Sequence, residues 1–192
     1  MIIGLIILGV ILLWVVTTYN FFVTAKARLK ASVQEIGNQL KRQADLIPNL
    51  EESVKGYLKH EKGIFAELTA ARKAVTAAAA SDNLDKMAEA SKKLFDLLPK
   101  IQVVVESNPE LKGAEVVTNL MAELRDTSDK VMYARRLLID LTADFNIKVA
   151  TFPSSLVAKL FQISEQPGLI TATEGEHLSV SAKDVVTPKV KL

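Results

Sequence analysis

No charged side chain occurs before Lys26. Residues Ile2 to Val16 are all apolar or glycine, and from there to Val23 only Thr17, Thr18 and Asn20 interrupt the run with small polar groups. About 20 such residues in a helix, at 1.5 Å each, cross a hydrocarbon core of about 30 Å. Trp14 and Tyr19 are the kind of amphipathic ring that settles at headgroup level. The alternative, a cleaved signal peptide, needs a basic leader and a small-residue cleavage site. Neither flanks this run, so residues 1–25 read as an uncleaved transmembrane anchor. Lys26, Arg28, Lys30, Lys41 and Arg42 follow it closely. That bias orients the body of the chain to the cytoplasm and the N-terminus outside, in a single-pass protein of the cell (inner, cytoplasmic) membrane.

Past the anchor, apolar residues recur at spacings of three and four, the signal of helices. Leu29, Val33, Ile36, Leu40, Ala44 and Ile47 make a first seam. Leu50, Val54, Tyr57, Glu61, Ile64, Leu68, Ala71, Val75 and Ala78 make a second. Leu84, Met87, Ser91, Leu94, Leu98 and Ile101 make a third. A fourth runs from Val117 through Leu124, Val131, Leu138 and Phe145 to Phe152. Heptads sustained this long imply narrow seams against partner helices, as in a coiled coil or bundle.

Pro48 predicts the end, or a kink, of the first helix, and Pro99 an early stop or kink of the third. Ser81-Asp82-Asn83 reads as a cap opening the third helix, and Asn108-Pro109 as a cap with proline at the first position of the fourth. Short connectors favour antiparallel neighbours. The fold expected is therefore all-α: a single transmembrane helix continuing into an elongated, antiparallel, up-and-down four-helix bundle over residues 26–163. The fourth helix, about 40 residues or 60 Å, would outrun the third. Residues 164–192, with Pro167-Gly168 and a Thr/Ser/Glu run, read as an irregular tail, disordered or adding a strand to a neighbouring chain.

Tests for chemistry are mostly negative. The chain has no cysteine, which excludes disulfides, thiolate zinc sites and a thiol nucleophile. A net charge of +2 gives no reason to expect nucleic acid as a partner. His60-Glu61 opens like a metalloprotease helix, but Ile64 stands where the second histidine is needed. No phosphate-cradling glycine loop or nucleophile elbow is present, so neither a cofactor nor an enzymatic activity is expected. Glu61 falls on a helix seam and would need a partner when buried; Arg135 or Arg136 are the candidates, and a polar ligand slot is the alternative.

Tyr19-Asn20, Gln39-Leu40-Lys41-Arg42, Asp45-Leu46-Ile47-Pro48-Asn49-Leu50, Val54-Lys55-Gly56-Tyr57, His60-Glu61 and Ala71-Arg72, in that order and spacing, closely resemble the LemA family. Phe145-Asn146, Phe152-Pro153-Ser154 and Ala158-Lys159-Leu160-Phe161 match its C-terminal pattern. The resemblance covers about Thr18 to Phe161. It implies a bacterial-type, single-pass membrane protein with a long helical bundle and no established enzymatic activity. Members are associated with envelope biology, one branch with magnetosome membranes, and some family genes neighbour those of membrane metalloproteases. The chain departs from the family pattern where Val33 replaces Trp, Gln43 a basic residue, Glu51 Val, and Gln162 the glycine after the last apolar turn.

Physically, Asp45 or Asn49 could satisfy N–H groups freed at a Pro48 junction. Gly56 would admit another backbone, and Tyr57 would pack while its hydroxyl finds a partner. The function expected is a non-enzymatic, membrane-anchored scaffold that self-associates as a homo-oligomer and organises or remodels the bilayer. The alternatives are an adaptor for another membrane protein, such as a metalloprotease, and a ligand sensor at Glu61.

Overall fold

The computed structural model describes residues 1–57, 62–81 and 83–168. Its elements are α1 (Ile2–Val54), α2 (Lys62–Ala79), α3 (Leu84–Ser107), α4 (Pro109–Gly113), α5 (Glu115–Ala150) and α6 (Ser154–Leu160). The described residues are 88% helix and include no strand, so the chain is all-helical there.

Of the end or kink predicted at Pro48, the end does not occur. α1 passes through it as one helix of 53 residues. Proline removes the bond that residue 48 would give to the Ala44 carbonyl. Against this local loss stands packing on both sides: Leu40, Gln43 and Ile47 before the proline, and Leu50, Glu51 and Val54 after it, are all buried. Pro99 is likewise carried inside α3, exposed on the outer face while Leu97, Leu98 and Ile101 are buried around it. Because α1 continues past Pro48, Asp45 and Asn49 have no freed helix end to cap, contrary to expectation. Asp45 is exposed, and Asn49 contributes its backbone carbonyl, which accepts from Ser53 Oγ at 2.8 Å.

The expected caps are present. Asn83 Oδ1 accepts from Lys86 N at 2.9 Å at the start of α3. Asn108 Oδ1 accepts from Glu110 N at 3.1 Å, with Pro109 at the first helical position. The helix opened there is α4, of five residues, rather than the long fourth helix. Gly113 is a poor helix former and Ala114 is extended, so the ladder is interrupted before α5 begins at Glu115.

The four seams form one core. Leu29, Ile36, Leu40 and Ile47 of α1 are buried with Leu68, Ala71, Val75 and Ala78 of α2 and with Met87, Leu94, Leu98 and Ile101 of α3. Val117, Leu124, Val131, Leu138 and Phe145 of α5 complete it. α1 packs on α5 and α2, α2 on α3, and α3 on α5; α6 packs on both α5 and α1. As residue number rises along α1, its α5 partner falls: Phe22 meets Phe145, and Gln43 meets Ser128. α5 spans about 54 Å at 36 residues. Its seam is covered by α1, so the surplus over α3 expected of the fourth helix is already partnered within the chain.

The first stretch of α1 is different. Every residue from Met1 to Leu13 is exposed, although all are apolar or glycine. α1 is one helix long and apolar enough at its N-terminal end to cross a membrane.

Restoring the missing hydrogen bond should stabilise the fold. Pro48→Ala is expected to raise unfolding free energy by about 1–3 kcal/mol, because the helix already exists at that position. Chemical denaturation followed by far-ultraviolet circular dichroism measures it; a loss of stability would mean that Pro48 shapes α1 rather than being tolerated by it.

Candidate functional site

The residues singled out by motif fall into two groups at opposite ends of the packed body. At the end remote from the apolar stretch, polar groups enter the seam. Gln43 is fully buried and its Nε2 donates to Ser128 Oγ at 3.2 Å, leaving Oε1 without a partner. Glu51 is 8% exposed, and its Oε2 accepts from Arg72 Nη1 at 2.7 Å. Neither is among the buried polar residues expected from the sequence. Yet Leu40, Gln43, Ile47, Glu51 and Val54 keep the three- and four-residue spacing without a gap, and that spacing is the signal for both.

Around this pair the remaining motif residues are peripheral. Lys55 reaches Glu52 at 3.4 Å on the exposed surface. Among the described residues, a Cβ at Gly56 would meet nothing within 4 Å, so none of their backbone approaches it as expected. Tyr57 is exposed rather than packed, and the Glu110 carboxylate at the start of α4, through hydrogen bonding and its charge, holds the phenol above its ordinary pKa. His60 and Glu61 lie outside the described residues. The cations proposed for Glu61 are placed by α5: Arg136 is exposed, whereas Arg135 is half-buried with Nη1 at 3.5 Å from Ser91 Oγ. Burial pushes the Arg135 guanidinium below its ordinary pKa, because its charge is desolvated.

The second group forms a corner where α1 emerges from its unpacked stretch. The rings of Tyr19 and Phe161 lie 4.6 Å apart, and Phe22 meets Phe145 edge-on at 5.6 Å. Asn20 is exposed and lines a shallow pocket with Arg28 and Asp144. α5 ends at Thr151, and Phe152-Pro153, joined by a cis peptide, turns the chain into α6. Ser154 Oγ ties that turn by donating to the Lys148 carbonyl at 2.7 Å, with the Thr151 carbonyl at 2.9 Å.

After α6 the backbone closes a Schellman motif. Ile163 N donates to Ala158 O at 2.8 Å, and Gln162 N to Lys159 O at 3.2 Å. Gln162 has φ 54, the left-handed region that side chains disfavour. The following segment to Gly168 is irregular, as expected of a tail, but it is pinned. Asn146 Nδ2 donates to Gln166 O at 2.9 Å while Gln166 N donates to Asn146 Oδ1 at 2.8 Å. The strand expected from the rest of the tail lies outside the described residues.

An open groove of about 520 Å³ runs beside this corner, walled by Val23, Leu29, Val33, Leu138 and Pro167, with Lys26 and Lys30. Its lining is mainly apolar, with Thr142 and Gln166 as the other polar side chains. Among the described residues, no three His, Asp or Glu side chains converge as metal ligands.

The model of the LemA family matches residues 32–181, well over half of the chain. The chain belongs to the LemA family. No curated protein matches it. Membership gives two departures a physical meaning. At position 162, where the resemblance implies glycine, glutamine takes the left-handed conformation that closes the Schellman motif. At position 51, the glutamate that stands in place of the usual valine occupies the buried seam and is held by Arg72.

Two measurements follow from these sites. Gln162→Gly should raise stability by about 0.5–1 kcal/mol, the left-handed penalty less the entropy glycine adds to the unfolded chain. A thermal melt reads it, and no change would mean the turn is not strained. For the ion pair, Arg72→Ala should cost about 2 kcal/mol by stranding a buried carboxylate, whereas Glu51→Val should be near neutral. In the Glu51→Val background, Arg72→Ala should then cost well under 1 kcal/mol; equal costs in both backgrounds would show that the pair is not coupled.

Proposed function

We propose that this LemA-family chain is a non-enzymatic, membrane-anchored helical scaffold. In this reading the N-terminal part of α1 crosses the cell membrane once, with the N-terminus outside and the body on the cytoplasmic side. That body is an elongated antiparallel four-helix bundle of α1, α2, α3 and α5. The falling order of α5 partners along α1 supports the antiparallel sense, and the cluster Lys26, Arg28 and Lys30 just past the apolar run supports the orientation.

The observation that carries the reading is the continuity of α1. A single 53-residue helix has an apolar N-terminal stretch that no other described residue covers and a C-terminal stretch that forms the spine of the packed body. No loop separates the two, so the body's position and tilt are coupled to those of the span. Such a part suits organising or remodelling a bilayer better than turning over a substrate.

Self-association draws support from α5, whose outward face carries Met132, Tyr133 at 71% exposure and Leu137 beyond the residues its own seam uses. The full-length chain is the material for the test: in detergent micelles and in nanodiscs, its mass is expected to be a discrete multiple of the protomer at micromolar concentration. A strict monomer would overturn the self-associating scaffold. If crosslinking in membranes then returned one foreign membrane protein in fixed stoichiometry, the adaptor reading would replace it.

A further inference from the structure

We infer that the α5–α6 corner is a second membrane contact, a short amphipathic element seated in the headgroup layer beside the α1 span. The inference rests on the reading that α1 crosses the bilayer, and it adds a site that the reading does not require.

The two faces of α6 motivate it. Ser154, Val157 and Ala158 are buried against the body. The opposite face carries Leu156 and Leu160, four residues apart and 57% and 70% exposed, and Phe152 just ahead of the helix is 81% exposed. A surface helix facing water places polar residues there. Here both faces are apolar, and Lys159 flanks the outer one.

The height of the corner decides what covers it. Phe22 is level with Phe145. An equal step back along α1 and forward along α5 brings Phe152 to the level of Val15, and Phe161 returns beside Tyr19. The fully unpacked part of α1 ends at Leu13, with Trp14 and Val15 already half-buried. About 13 helical residues reach only about 20 Å, short of the 30 Å that the hydrocarbon core requires. A bilayer spanned by α1 must therefore extend over the next turns, to about Asn20, and those are the turns against which α5 and α6 pack.

With the boundary near Asn20, Phe161 beside Tyr19 lies at the acyl–headgroup boundary and Phe152 about 8 Å beneath it, with Leu156 and Leu160 between, the depth to which amphipathic helices bury an apolar face. Lys159 stands exposed beside the outer face, from which a lysine can snorkel to lipid phosphates, while Lys148 Nζ lies 5.5 Å from the Phe21 ring centroid on the α1 side of the corner. Asp144, the carboxylate four residues before Lys148, lines a pocket together with Arg28.

The absence of cysteine makes the test direct. Leu156→Cys, Leu160→Cys, Leu8→Cys and Glu52→Cys each give one site for a polarity-sensitive fluorophore on the full-length chain. The labelled proteins are reconstituted in phosphatidylcholine–phosphatidylglycerol vesicles containing nitroxide lipids. Labels at 156 and 160 should blue-shift and lose most of their intensity to nitroxides at the top of the acyl chain. The label at 8 should be quenched by deep nitroxides, and the label at 52, roughly 40 Å beyond Val23, by neither. A deep-quenched label at 8 with unquenched labels at 156 and 160 overturns the corner and leaves the anchor standing. An unquenched label at 8 overturns the anchor, and the corner with it. Since both leucines are exposed, melting temperatures close to the parent's are expected and verify that the labelled proteins are folded.

Discussion

One helix has to satisfy two environments, and the rest of the molecule is arranged around that requirement. Burying an apolar side chain stabilises by about 1.5–3 kcal/mol wherever it is buried, but α1 divides its apolar residues between two settings. From Leu29 to Val54 a stripe of them is covered by α2, α3 and α5. From Ile2 to Leu13 they point in every direction and nothing among the described residues covers them. A helix apolar all round is at home inside a protein or a bilayer, and a helix with a stripe is at home on a core. α1 is the first kind and then the second, with the changeover between Trp14 and Val23.

The changeover is where the fold is most elaborately tied. Tyr19 and Phe22 from α1, Phe145 and Asn146 from α5, and Phe161 and Gln166 beyond them converge within a few turns. The opposite end is held differently, by an ion pair between a buried carboxylate and a half-exposed arginine and by an amide–hydroxyl hydrogen bond among leucines and isoleucines. A lone carboxylate there would be costly; with Arg72 it fixes how α1 and α2 meet.

Helix periodicity makes most of the core legible in the amino-acid sequence. The positions it predicts for the seams of α1, α2, α3 and α5 are buried or half-buried, apart from Tyr57, Phe152 and the undescribed Glu61. The prolines mislead because their penalty is local, whereas the packing that carries α1 through Pro48 is supplied by helices far along the chain. Gln43 and Glu51 escape for a related reason: a search for apolar residues passes over polar ones, even in a seam whose spacing includes them. The Asn146–Gln166 clamp joins positions 20 residues apart across a turn, which no periodic pattern encodes. The left-handed Gln162 shows in the sequence only as a departure from the family glycine, and its meaning needs the backbone angle.

The pairing of the first helix with the fifth also has a consequence in time. Phe22 and Phe145 belong to opposite ends of the chain, and a ribosome adding about 5–20 residues per second makes the second many seconds after the first. During that interval the stripe of α1 that α5 will cover has no native partner, and only α2, then α3, are available to shield part of it. Contacts this distant in sequence are also the slowest to form once both partners exist. Nascent chains of this kind are therefore at their most adhesive before α5 emerges, when the leader is already greasy enough to insert and the spine is still half bare.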